Sequence, residues 1–232
     1  VMSHVVAIGP VTYAGARPAV TDREAIEASP VRCLDPEISK LMVAAIDQAA
    51  ADKDTLGGVF EVIAIDVPVG VGSHVQHDRR LDAALAASMM SIPAIKAVEI
   101  GDGFTTASLR GSESHDEIIR DAGRVVRATN RAGGIEGGIS NGEAIRVRAA
   151  MKPISTLMQP LRTVDMTTGE DAQAVRERSD VCAVPAAGVV GEQMAAITIA
   201  SEMQRKFGGD TVAEFAGAVK AYRGRVNARM VR

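Results

Sequence analysis

The sequence predicts an α+β fold, on three observations. Apolar residues recur at period 2 in some short β-branched runs and at helical spacing in others. The strand-like runs occur in hairpins as well as between helices, which argues against a doubly wound parallel sheet. No internal repeat and no long linker divides the 232 residues, so residues 1–232 read as a single domain.

Each element follows in order. Residues 4–8 form a short β-like run that ends at the Gly9-Pro10 turn signal. Asp35 then Pro36 reads as an N-cap followed by proline at the first helical position. Ile38, Leu41, Met42, Ala45 and Ile46 continue at helical spacing, which predicts a helix to Ala51. Residues 59–67 (VFEVIAIDV) set Glu61 and Asp66 among β-branched residues and predict a strand that Pro68 ends. Residues 70–77 read as a loop. Residues 81–92 (LDAALAASMMSI) predict a helix in which Met89 and Met90 fill the core, and residues 95–100 predict a strand. Residues 104–142 are mostly Gly, Ser, Asn and charged, and such a long irregular stretch is usually functional or disordered. Residues 144–151 (AIRVRAAM) alternate as a strand, with Arg146 and Arg148 on one face. Residues 162–176 read as a hairpin with a glycine turn. Pro185 opens a long helix to Phe207, closed by Gly208-Gly209. Asp210 caps a last helix to Tyr222, and residues 223–232 form a basic, frayed tail.

Composition narrows the function. Net charge is −3 and aromatic residues are 3% of the chain, so neither phosphate-backbone attraction nor base-stacking platforms are expected, and no nucleic-acid partner. No apolar run approaches the roughly 20 residues of a bilayer span, so no membrane partner is expected. The two cysteines, Cys33 and Cys182, stand far apart with no CxxC, which favours a reducing, cytoplasmic compartment over a disulfide framework. The Val-Met-Ser-His opening is compatible with a fragment.

Three segments carry candidate chemistry. Residues 129–142 (TNRAGGIEGGISNG) hold five glycines. They read either as a flexible surface loop or as a backbone cradle whose amides face an anion or a flat ring. The spacing does not fit GxGxxG, so a Rossmann nucleotide site is not indicated. Lys152, Pro153, Ile154, Ser155 and Thr156 follow a strand and combine a point charge with two hydroxyls; they form an ordinary turn or an anion dock. Arg178 and Asp180, two apart, share one face of an extended chain and either pair with each other or point into a site. Arg124, Arg127 and Arg131 flank the glycine segment. The four histidines (His4, His74, His77, His115) show no metal-ligand spacing and are expected mostly in solvent, with no metal. Cys182 reads as a small apolar residue rather than a nucleophile.

In series, these segments resemble the chorismate synthase family. The match runs through Gly72-Ser73 with Asp78-Arg-Arg-Leu-Asp82, residues 89–104 (MMSIPAIKAVEIGDGF), 111–117 (GSESHDE), 129–142, 152–156 and 178–185 (RSDVCAVP). It covers about the last three fifths of the family's length. The resemblance implies an α+β sandwich of antiparallel sheets covered by helices, assembled as a homotetramer. It implies a lyase of the shikimate pathway, in aromatic amino acid biosynthesis, with which NADP is also associated. That enzyme uses reduced FMN to eliminate phosphate from 5-enolpyruvylshikimate 3-phosphate, giving chorismate. Residue by residue, the FMN-contacting positions fall on Pro93, Ala94, Gly137, Lys152, Pro153, Ile154, Ser155, Thr156 and Arg178. Asp180 falls on the carboxylate that relays a proton near the flavin. Two departures stand out. Pro93 replaces an Asn or Gln, so only backbone can serve there, and the family's early Gly-Glu-Ser-His-Gly and Arg-Ser-Ser-Ala-Arg-Glu-Thr motifs are absent. The alternative reading is a non-catalytic fragment that keeps the oligomerising scaffold and weak FMN binding.

Overall fold

The computed structural model describes residues 1–177 and 180–230. The chain opens with β1 (Met2–Ile8), which turns at Gly9-Pro10 into β2 (Val11–Thr12). A short helix α1 (Arg23–Ala28) precedes α2 (Pro36–Ala51). The start of α2 is the one read from sequence: the Asp35 carboxylate accepts from the amides of Glu37 and Ile38 at 2.8 and 3.1 Å. Pro36 sits in the first turn, where a missing N–H costs nothing. β3 (Gly58–Ala64) stops three residues before the expected Val67, because Asp66 turns the backbone out of the extended region at φ +60°. α3 (Leu81–Met90) and β4 (Ile95–Ile100) follow, and of the methionine pair only Met89 is core, Met90 being 47% exposed.

The stretch expected to be irregular is a chain of short ordered elements. They are α4 (Gly103–Thr106), α5 (Gly111–Ser114), the hairpin of β5 (Ile118–Asp121) with β6 (Arg124–Arg127), and the hairpin of β7 (Ile135–Glu136) with β8 (Ile139–Ser140). Then come β9 (Ile145–Met151) and the hairpin of β10 (Arg162–Val164) with β11 (Asp171–Gln173). The chain ends with α6 (Val184–Phe207) and α7 (Val212–Met230). Two expectations are corrected here. The cap of α7 is Thr211, not Asp210: Thr211 Oγ1 accepts from the Glu214 amide, and the Glu214 carboxylate accepts from the amides of Asp210 and Thr211. The supposed frayed tail is also helical as far as Met230.

Five strands form one antiparallel sheet in the order β2-β1-β3-β9-β4. Period 2 gives this sheet two unlike faces. Val5, Phe60, Val62, Val147 and Ala149 point to one face and meet α3 and α6 in the apolar core. His4, Glu61, Arg146 and Arg148 point to the other, since His4 pairs with Glu61 and Glu61 with Arg148 across the ladder. α6 lies flat on the sheet because Gly188 and Gly191 present no side chain there. A Cβ at Gly191 would sit 2.6 Å from the ring of Phe60, which is fully buried and has nowhere to move. Gly191→Val is therefore expected to destabilise the chain by about 2 kcal/mol through overpacking. Urea denaturation checks this, and unchanged stability would show that α6 can lift from the sheet without cost. α6 is long and apolar enough by length and composition to cross a membrane, contrary to the sequence expectation. A core helix meets the same test, and α6 packs one side on the sheet while burying Glu192 and Glu202. Its outer side leaves Val189, Val190 and Ile197 exposed.

Candidate functional site

One end of the sheet gathers most of the residues singled out from sequence. β4 enters this end through Pro93 and Ala94, and β9 leaves it through Lys152. The Lys152 amide donates to the Ala94 carbonyl at 2.9 Å, so the two turns lie side by side. Ala94 takes φ +68°, a conformation rare for a residue with a Cβ, so the turn is held by its surroundings. Thr55 Oγ1 donates to the Ile154 carbonyl at 2.7 Å, and the next residue, Leu56, donates its amide to the Val181 carbonyl at 2.8 Å. The 55–56 segment thus bridges the Lys152 turn to the segment that carries Asp180. Pro93, Lys152, Pro153, Ser155 and Asp180 are exposed; Ala94, Ile154 and Thr156 are half-buried. Among the described residues the Lys152 ammonium makes no ion pair. Arg178 lies outside the described residues.

Gly137 is placed elsewhere. It forms the exposed turn between β7 and β8 at φ +61°, and nothing lies within 4 Å of where its Cβ would be. Its neighbour Gly138 donates no side chain but accepts the Leu81 amide at 2.8 Å, which ties the turn to the start of α3. Pro93 follows the end of the same ten-residue helix. The two groups are therefore separated by about one helix length, on the order of 15 Å. The glycine segment is ordered by Asp116, which sequence reasoning did not single out. Its carboxylate accepts from the amides of Arg131 and Ala132 at 2.8 and 2.9 Å and from Thr129 Oγ1. Burial pushes this carboxyl up, but the Thr129 and backbone donors outweigh it and hold it below the usual range. Of the flanking arginines, Arg127 is committed to Glu136 at 2.6 Å.

The polar face of the sheet carries a second cluster. Glu61 is fully buried, with His4 Nε2 at 3.3 Å, Arg146 Nη2 at 3.0 Å and Arg148 Nε at 2.9 Å. Arg146 also reaches Asp102 at 2.9 Å, and Arg17 meets the same oxygen at 2.6 Å. Burial pushes the Glu61 carboxyl up, but the His4 hydrogen bond and the charges of Arg146 and Arg148 overcome it and bring it to about 2. His4 is thus the exception among the histidines: it is 3% exposed, while His74, His77 and His115 lie in solvent as expected. The sequence signal was a lone glutamate inside an apolar strand, level with two arginines spaced two apart.

Comparison with known proteins places the chain in a family. Residues 1–204 match the family described as chorismate synthase. Chorismate synthase of Acidothermus cellulolyticus is 61% identical over 223 residues, covering 96% of this chain and 57% of that protein. The Rhodococcus opacus chorismate synthase is 54% identical over 233 residues, covering the whole chain and 59% of its own length. A crystal structure of chorismate synthase superposes with a TM-score of 0.82 at 40% identity, over 98% of this chain and 63% of that one. The chain spans less than two thirds of the length of each. A match of this extent and identity, on the antiparallel sheet and helices described above, shows that the chain belongs to the chorismate synthase family.

Proposed function

We propose that this chain carries the flavin-facing part of a chorismate synthase, a lyase that eliminates phosphate from 5-enolpyruvylshikimate 3-phosphate with reduced FMN. The observation that carries the reading is the convergence, at one sheet end, of the Ala94 turn, the Lys152–Thr156 turn and the segment bearing Asp180. These residues suit an anionic flavin. Lys152 offers an exposed ammonium without an ion pair among the described residues, and Ser155 offers a hydroxyl beside it. Gly137 offers a bare backbone turn. Pro93 can contribute backbone only. The chemistry the flavin supplies when bound is transient electron donation without net oxidation. The chain's own residues bind and orient: Lys152 holds negative charge, Ala94 and Gly137 let backbone approach a flat ring, and Asp180 holds and returns a proton at its carboxylate. Arg178 completes the anion contacts in this reading.

The rest of the reading follows the family. A cytoplasmic homotetramer belongs to this reading through the family resemblance alone; the exposed Val189, Val190 and Ile197 on the outer side of α6 form an apolar face that a partner copy would cover. The test is anaerobic phosphate release from 5-enolpyruvylshikimate 3-phosphate with reduced FMN, beside a fluorescence titration of FMN. Lys152→Ala is expected to weaken FMN binding about tenfold, the loss of one charge-assisted contact. Flavin binding without phosphate release would favour the non-catalytic scaffold instead. Absence of FMN binding would remove the proposal.

A further inference from the structure

α7 lies outside the residues that match the family as a whole, which end at 204, yet the Rhodococcus opacus relative aligns over it. Its place in the fold is specific. Gly208 and Gly209, at φ +64° and +99°, turn the chain sharply after α6. The Phe207 ring then meets Phe215 and Tyr222 edge-on, with centroids at 6.2 and 5.3 Å. Lys206 Nζ stands 4.7 Å from the centre of the Tyr222 ring. These contacts aim one side of α7 at the segment that follows β3. Tyr222 OH donates to the Val69 carbonyl at 3.0 Å. Arg223 grips Asp66 twice, through its carboxylate at 3.0 Å and through its backbone carbonyl. Asp66 is the residue whose positive φ ends β3, so the grip falls on a backbone kink.

The gripped segment is the support of the Gly137 turn. Ser140, on β8, donates its hydroxyl to the Pro68 carbonyl and its amide to the Val71 carbonyl at 2.9 Å. In return the Gly70 amide donates to the Ser140 carbonyl at 2.7 Å, and the Val71 amide to Ser140 Oγ at 2.8 Å. Ser140 is buried and lies three residues after Gly137. A connected run of hydrogen bonds therefore leads from α7 through residues 66–71 and Ser140 to the exposed turn. Between α7 and this segment remains a gap of about 230 Å³, bordered by Val67, Pro68, Gly142 and Val226. The helix thus holds the segment through a few polar points rather than through a packed interface.

We infer that α7 is a strap: Tyr222 and Arg223 are positioning residues that hold residues 66–71, and through Ser140 the Gly137 turn, in the conformation that meets the cofactor. The cofactor clause rests on the function proposed above; the strap does not.

The test uses the whole chain with Tyr222→Phe, Arg223→Gln and the double variant. Hydrogen exchange is read at the amides of Gly70, Val71 and Ser140, with Phe60 and Val62 in the sheet as the internal reference. The double variant is expected to exchange about tenfold faster at the first three: it loses the neutral Tyr222 bond and both Arg223 bonds to Asp66, and the Arg223 contacts, exposed to solvent, each count for little. The reference amides stay at their original rates. The FMN dissociation constant is expected to rise by a similar factor, as the binding-competent turn becomes less populated. Unchanged exchange at Gly70 and Ser140 overturns the strap, and so does equal acceleration at Phe60 and Val62, which would mark a general stabiliser. Local acceleration with unchanged FMN affinity overturns the cofactor clause. If the unaltered chain binds no FMN, the function proposed above falls while the exchange data still decide the strap.

Discussion

Asp180→Asn is expected, on the function proposed above, to slow phosphate release by about 10²- to 10⁴-fold, the range a positioned proton-transfer group contributes. The substitution keeps the shape of the side chain and removes its ability to hold and return a proton. The backbone there is anchored one residue later, where Val181 accepts the Leu56 amide at 2.8 Å, so the variant should fold. FMN affinity should change little, because the flavin contacts assigned above are Ala94, Gly137, the Lys152 turn and Arg178. A fall in kcat at constant FMN occupancy, measured anaerobically, is the expected signature. An unchanged rate would remove Asp180 from the chemistry.

The largest expected effect on stability is at Glu61. Glu61→Met leaves Arg146, which is 2% exposed, without its main partner among buried groups, and is expected to cost about 3–5 kcal/mol. Combining it with Arg146→Met should cost less than Glu61→Met alone, since an apolar pair leaves no orphaned charge. Urea denaturation of the two variants decides this; a larger loss in the double variant would refute the account. The same carboxylate sets an acid limit. Its pKa falls from an ordinary 4.5 to about 2 in the folded chain. A depressed folded pKa means stability that is fully present above pH 4.5 and lost as pH falls from there through 2. The shift corresponds to about 3 kcal/mol over that window. Glu61→Gln should flatten the acid side of the stability profile, and an unchanged profile would show that other carboxylates govern it.

Much of the fold was legible in the sequence, because local chemistry decides it. Asp35-Pro36 starts a helix wherever it occurs before a periodic apolar run, and Gly208 ends one. Alternation in residues 144–151 put Arg146 and Arg148 on one face, as the sheet bears out. The irregular reading of residues 104–142 did not hold. Short hairpins order much of it, and its glycine segment is held by a carboxylate, Asp116, that gathers donors 13 to 16 residues away, a contact that carries no periodic signal. His4 was read among solvated histidines, and only strand pairing sets it against Glu61. The end of α7 was also misplaced, because ring contacts with Phe207 and the grip on Asp66 extend a helix whose own residues are weakly patterned.

The sequence by itself determined the α+β class, the main helix and strand positions and the family, all of which rest on local propensity and ordered motifs. Only the tertiary structure decided which of the motif residues meet. It set Ala94 beside Lys152 and the Asp180 segment, held Gly137 about a helix length away, and closed α7 over its support. The physical reason is that strand register and helix docking depend on partners far along the chain, and no spacing within a segment records them.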